Sequence, residues 1–159
     1  SIGYRIQQST PGRLYQLERG AVGTDWGPAA SSNPFVQFLP NTATAASNSD
    51  PNYDVLGNGV FRFEFCYLLN TGVMSNSAQS DLGNVVAVVI AIGILDARSL
   101  RIISSSQLGQ LSASLPDSTE GMDPISGWNT AVAATGFGAG VPPQAIQGVR
   151  LYQRTFYVP

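Results

Sequence analysis

The chain has 159 residues, enough for one domain with a real core, and only 11% of them are charged against 43% hydrophobic. Its eight basic residues are all Arg, with no Lys and no His, and the net charge is -2. Those absences exclude Ser-His-Asp and Cys-His catalysis, His-ligated metals, Schiff-base chemistry and a P-loop lysine, and they leave no basic patch to neutralise several phosphates of a nucleic acid.

In chain order, Ile2 to Gln8 alternates loosely, with Ile2, Tyr4 and Ile6 on one face. The turn signal Ser9-Thr10-Pro11-Gly12 follows, and Arg13 to Arg19 reads as a second strand, so the two form a hairpin. Residues 20–59 read as one long loop or insertion, rich in Gly, Pro, Asn, Ser, Ala and Thr. Within it, 34–40 has the apolar content of a short packed segment, with Trp26, Phe35 and Phe38 as anchors, whereas 43–49 has little to pack. Asp50, Asn52 and Asp54 place oxygen ligands at alternate positions, a weak calcium candidate. The sixth position is Val55 instead of Gly and the twelfth is Phe61 instead of Glu, which favours a turn-rich linker.

Val60 to Leu69 is the clearest alternation in the chain. Period-two geometry sets Phe61, Phe63, Phe65 and Tyr67 against Arg62, Glu64 and Cys66. The aromatic stripe is expected to face the core, with Arg62 and Glu64 pairing on the other side. Cys66 is the one cysteine, so no intrachain disulfide forms; it reads as a small buried hydrophobe. Asn70-Thr71-Gly72 ends the strand and 73–84 is a polar connection.

Val85 to Leu95 is the most apolar run, rich in β-branched residues and too short to span a membrane. Its two apolar sets predict a central strand covered on both faces, with Val88 and Ile90 intolerant of charge. Ser104 with Gln107 makes a capping-box pattern, and Leu108, Leu111 and Leu115 follow at helical spacing, which predicts a helix from about 105 to 114. Asp117, Glu120 and Asp123 cluster in the next loop, more simply read as solvated turn residues than as paired acid/base groups. A short helix is expected over 125–135, one helical turn over 143–147, and a closing strand over 148–158. That strand sets Val149, Leu151, Gln153, Thr155 and Tyr157 against Arg150, Tyr152, Arg154, Phe156 and Val158.

Taken together, residues 1–159 predict a single α+β domain, a mostly antiparallel sheet with one or two short helices packed on it. The Gly3-Tyr4-Arg5-Ile6 segment, the Leu14-Tyr15…Arg19 strand, Val60…Phe63…Phe65…Tyr67, and the apolar run ending in Asp96-Ala97-Arg98 resemble the soluble domain of minor type IV pilins and type II secretion pseudopilins of the W and J kind. The closing strand is similar to that of related prepilin-like proteins. This resemblance implies a pilin-like fold and a structural subunit, without catalysis or cofactor, whose partners are other pilin or pseudopilin subunits. It also implies an N-terminal apolar helix, absent from this chain, that anchors the full protein in the inner membrane with the domain on the periplasmic or extracellular side. The alternative is an extracellular carbohydrate-binding or adhesin-like β domain using Trp26 and Trp128. Tyr4, Tyr15 and Tyr152 are the candidate contact aromatics.

Overall fold

A computed structural model describes residues 2–7, 15–21, 53–77, 79 and 81–158. The segments 9–12, 34–40 and 43–49, with Trp26, Phe35, Phe38, Asp50 and Asn52, lie outside the described residues. The fold is α+β, dominated by antiparallel sheet. The chain divides into two compact units, Ser1–Gly59 and Val60–Pro159.

The first unit holds a three-stranded antiparallel sheet in the order β1-β2-β3. The expected hairpin is present as β1 (Ile2–Gln7) and β2 (Gln16–Ala21). Arg5 lies opposite Glu18, and its Nε donates to Glu18 Oε2 at 2.8 Å while its guanidinium sits 3.6 Å from the centre of the Tyr53 ring. The third strand, β3 (Tyr53–Asn58), corrects the reading of residues 20–59 as loop throughout. Its middle residues Asp54, Val55 and Leu56 are all exposed, so it carries no buried apolar run for a sequence to show. The backbone ladder to β2 holds it instead, including the pair Arg19 opposite Asp54.

The second unit is a four-stranded antiparallel sheet in the order β5-β4-β6-β7. Its strands are β4 (Val60–Leu69), β5 (Met74–Ser75), β6 (Val85–Leu95) and β7 (Val149–Tyr157). Three helices lie between β6 and β7: α1 (Ser105–Ala113), α2 (Pro124–Ala133) and the single turn α3 (Pro143–Ile146). The capping box of α1 is formed as its residues predict. Gln107 N donates to Ser104 Oγ at 3.2 Å, and Ser104 N donates to Gln107 Oε1 at 3.0 Å. For α2, Asp123 caps the first turn by accepting from Ser126 N at 3.1 Å, with Pro124 at the position where a missing N–H costs nothing.

β6 alternates strictly between buried and more exposed residues along its length. The buried set, Val85, Ala87, Val89, Ala91, Gly93 and Leu95, faces the helices. These are mostly the smaller residues of the strand. They let bulk from elsewhere approach the sheet closely, and Leu108, Leu111, Leu115 and Trp128 supply it, all fully or nearly fully buried. At Gly93 the fit is tight: a Cβ there would lie 3.0 Å from Phe61 Cζ. Val88 and Ile90, the positions expected to be most sensitive to charge, belong to the other set and are only half-buried.

Candidate interaction surface

Each neighbour of β6 extends this two-faced pattern. On the covered face the cross-strand rows are Arg62–Gly93–Leu151, Glu64–Ala91–Gln153, Cys66–Val89–Thr155 and Leu68–Ala87–Tyr157. On the opposite face they are Phe63–Ile92–Tyr152, Phe65–Ile90–Arg154 and Tyr67–Val88–Phe156. This inverts the expected packing of β4. The helices pack on the side of Arg62, Glu64 and Cys66, and Cys66 is buried, whereas Phe65 is 48% exposed.

Two local causes produce the inversion. A register shift between Val60 and Arg62 gives β4 an extra residue, so Val60 and Phe61 are both buried and Phe61 leaves the stripe formed by Phe63, Phe65 and Tyr67. The charges on the covered face are then neutralised in place. Arg62 Nη2 donates to Glu64 Oε1 at 2.7 Å, and Arg62 also binds Asp117. Glu64 Oε2 accepts from Ser118 Oγ at 3.0 Å and from Ser118 N at 3.3 Å. A polar pair bonded in this way can sit beneath helices, although Arg62 Nε is buried there without a hydrogen-bond partner.

The open face is apolar over three adjacent strands. Val86 is exposed, Val88, Ile90, Ile92 and Ile94 are half-buried, Tyr152 is 54% exposed and Phe156 is 47% exposed. Phe65 and Tyr67 make an edge-to-face pair at 5.7 Å, and the Arg154 guanidinium lies 5.4 Å from the Phe156 ring centre. Of this face, sequence reasoning named only Tyr152 as a contact; it assigned Phe63, Phe65 and Tyr67 to the core and did not single out Phe156. Arg150 and Arg154, alternating with Tyr152 and Phe156, were the available signal that this side of β7 meets solvent.

The other candidates do not converge on a reaction centre. Asp117 binds Arg62, Asp123 caps α2, and Glu120 Oε2 accepts from Asn76 N at 3.3 Å. The adjoining hollow of about 230 Å³, lined in part by Asp117, Met122 and Asp123, thus presents carboxylates already committed to the fold. Asp54 is exposed on β3, and among the described residues no three Cys, Asp or Glu are grouped to hold a metal. Burial pushes the Cys66 thiol above its ordinary pKa, and the nearby charges of Asp123 and Glu64 push the same way, the opposite of what an active thiolate needs. Ser99 donates to Asp96 and holds that carboxyl below its usual range. Trp128 is completely buried on α2, with Nε1 donating to Pro116 O at 2.9 Å, so it is a core residue and not a loop platform. Among the contact aromatics, Tyr4 and Tyr152 are exposed, but Tyr15 is buried. Among the described residues no helix is long and apolar enough to cross a membrane. Set against known protein families, curated proteins and solved structures, the chain matches none.

Proposed function

We propose that this chain is the soluble domain of a structural subunit of the type IV pilin or type II secretion pseudopilin kind, working through protein–protein interfaces at the cell envelope. The observation that carries this reading is the open apolar face of the four-stranded sheet. Apolar surface left in water forgoes about 25 cal/mol per Å², and a contiguous patch of it marks a place where something docks. The geometry suits one helix. Adjacent strands lie about 4.8 Å apart, so β4, β6 and β7 together span about 10 Å, close to the diameter of a helix with its side chains. A pilin-like subunit supplies an apolar helix of that description, which in the full protein also anchors it in the inner membrane. The complete burial of Trp128 weighs against the carbohydrate-binding alternative.

The test is site-specific photo-crosslinking in the native cell, with a photoreactive residue at Ile90 on the open face and a control at exposed Arg101. The expected result is an Ile90 adduct to an apolar helix of the same protein or of a co-assembling envelope subunit, identified by mass spectrometry, and none from the control. An Ile90 probe that links to no helix, or a reproducible glycan ligand for the isolated chain, overturns the reading.

A further inference from the structure

Among the described residues β7 is the last strand of its sheet, so one of its two edges has no described neighbour in the sheet. The ladder to β6 fixes which groups lie on that edge. Val158 N donates to Val86 O and Asp96 N donates to Gly148 O, so the even-numbered residues of β7 are the ones bonded to β6. The N–H and C=O groups of Leu151, Gln153, Thr155 and Tyr157 point outward, and among the described residues nothing bonds to them. Val149 O alone is taken, by the Arg150 guanidinium at 2.8 Å. The strand runs for nine residues without Pro or Gly, long for an unprotected edge.

The side chains choose what can pair there. If a second β7 runs antiparallel with Gln153 opposite Gln153, all nine residues overlap. Arg150 then faces Phe156 of the other copy, and Arg154 faces Tyr152. These are the non-hydrogen-bonded pairs, where side chains stand closest, and each joins a guanidinium to an aromatic ring. Sliding the copies by two residues shortens the overlap in either direction. It sets Arg150 against Arg154 in one case and Arg154 against itself in the other, which is unfavourable. The arginines therefore select one register. Arg154 already lies near the Phe156 ring within a single chain, so the contact type is one this surface makes.

We propose that β7 is a self-pairing edge: two copies of this chain join along it, centred on Gln153, into one continuous sheet whose open apolar faces run together. This does not depend on the pilin reading, since it uses the edge of the sheet and not its face.

The full chain is examined by sedimentation equilibrium and by mild oxidation of single-cysteine variants in a Cys66→Ser background. Gln153→Cys, which faces its own copy about 5.5 Å away, is expected to form a disulfide-linked dimer, and Leu151→Cys, displaced by four residues from its own copy, is not. Tyr152→Arg sets like charges opposite one another and is expected to weaken the dimer at least about tenfold, whereas Tyr152→Glu, opposite Arg154, retains it. Circular dichroism checks that both Tyr152 variants keep the monomer fold. A chain that stays monomeric at high concentration, a Leu151→Cys crosslink as efficient as that of Gln153→Cys, or equal weakening by Arg and Glu at residue 152 overturns the proposal.

Discussion

Replacing Val89 with Asp tests the two-faced sheet most directly. Val89 has no solvent exposure and stands between Cys66 and Thr155 on the face beneath the helices. Losing the buried side chain costs about 1.5–3 kcal/mol. A carboxyl there must be kept neutral, and each unit by which its pKa is raised costs about 1.4 kcal/mol; holding it protonated at pH 7 against an ordinary value of about 3.9 adds about 4 kcal/mol. The sum, about 6 kcal/mol, rivals the roughly 5–15 kcal/mol that holds a typical domain together. The electrostatic part is absent below the unfolded-state pKa of the new carboxyl and grows as pH rises, so the deficit relative to wild type shrinks by about 3 kcal/mol between pH 7 and pH 5. Ile90→Asp, one residue along, places its carboxylate on the open face opposite Arg154. It loses only part of its apolar burial, about 1–2 kcal/mol, with no growth between pH 5 and pH 7. Urea unfolding followed by Trp128 fluorescence, in a Trp26→Phe background, measures both variants at both pH values. Equal losses for the two variants, or a Val89→Asp protein with near-wild-type stability, would refute the assignment of faces.

Further outcomes follow from the same packing. Ser104→Ala removes the Oγ half of the capping box and is expected to lower the urea midpoint by an amount equivalent to about 1 kcal/mol, with Ser104→Asp restoring most of it. Gly138→Ala is expected to cost more, about 1–3 kcal/mol in the same assay, because Gly138 has φ +68° and a Cβ there would come 2.7 Å from Ile146 Cδ1. Cys66 is expected to react with a disulfide reagent at pH 8 only as fast as the domain opens, and at once in denaturant. Its raised folded pKa also means that this thiol's contribution to stability is lost as pH rises past the ordinary thiol range. Asp96 has a lowered folded pKa, so its contribution is present above the ordinary carboxyl range and is lost as pH falls through the folded value. Asp96→Asn is therefore expected to flatten the acid limb of the stability profile measured by urea titration from pH 7 to pH 2.

Much of the fold was legible before any coordinates. Val60–Leu69 and Val85–Leu95 announce themselves by alternation and by β-branched density, and both strands have the bounds their residues predict. Ser104, Gln107 and the leucines that follow state a helix start and its buried stripe. These signals are local: each depends on residues within one or two turns or along a single strand. β3 was not legible, because an exposed edge strand is held by backbone bonds to β2, and backbone bonds leave no mark on side-chain chemistry. The candidate surface was half legible. The apolar content of Phe63, Phe65, Tyr67 and the even-numbered residues of β6 was plain, but not which way it faced.

The chain's composition and spacing by themselves determined an α+β fold of antiparallel strands, and they removed histidine and lysine chemistry from consideration. Facing was decided only by the tertiary structure. Alternation separates two sets of side chains but does not say which set is covered, and hydrophobicity alone would have buried the isoleucines and phenylalanines. The helices cover the face that carries the small residues Ala87, Ala91 and Gly93, and they bring their own bulk in Leu108, Leu111 and Trp128. One extra residue at Phe61 and the Arg62–Glu64 ion pair complete that choice. The larger apolar side chains are left on the open face, available to a partner, because the smaller ones were needed beneath the helices.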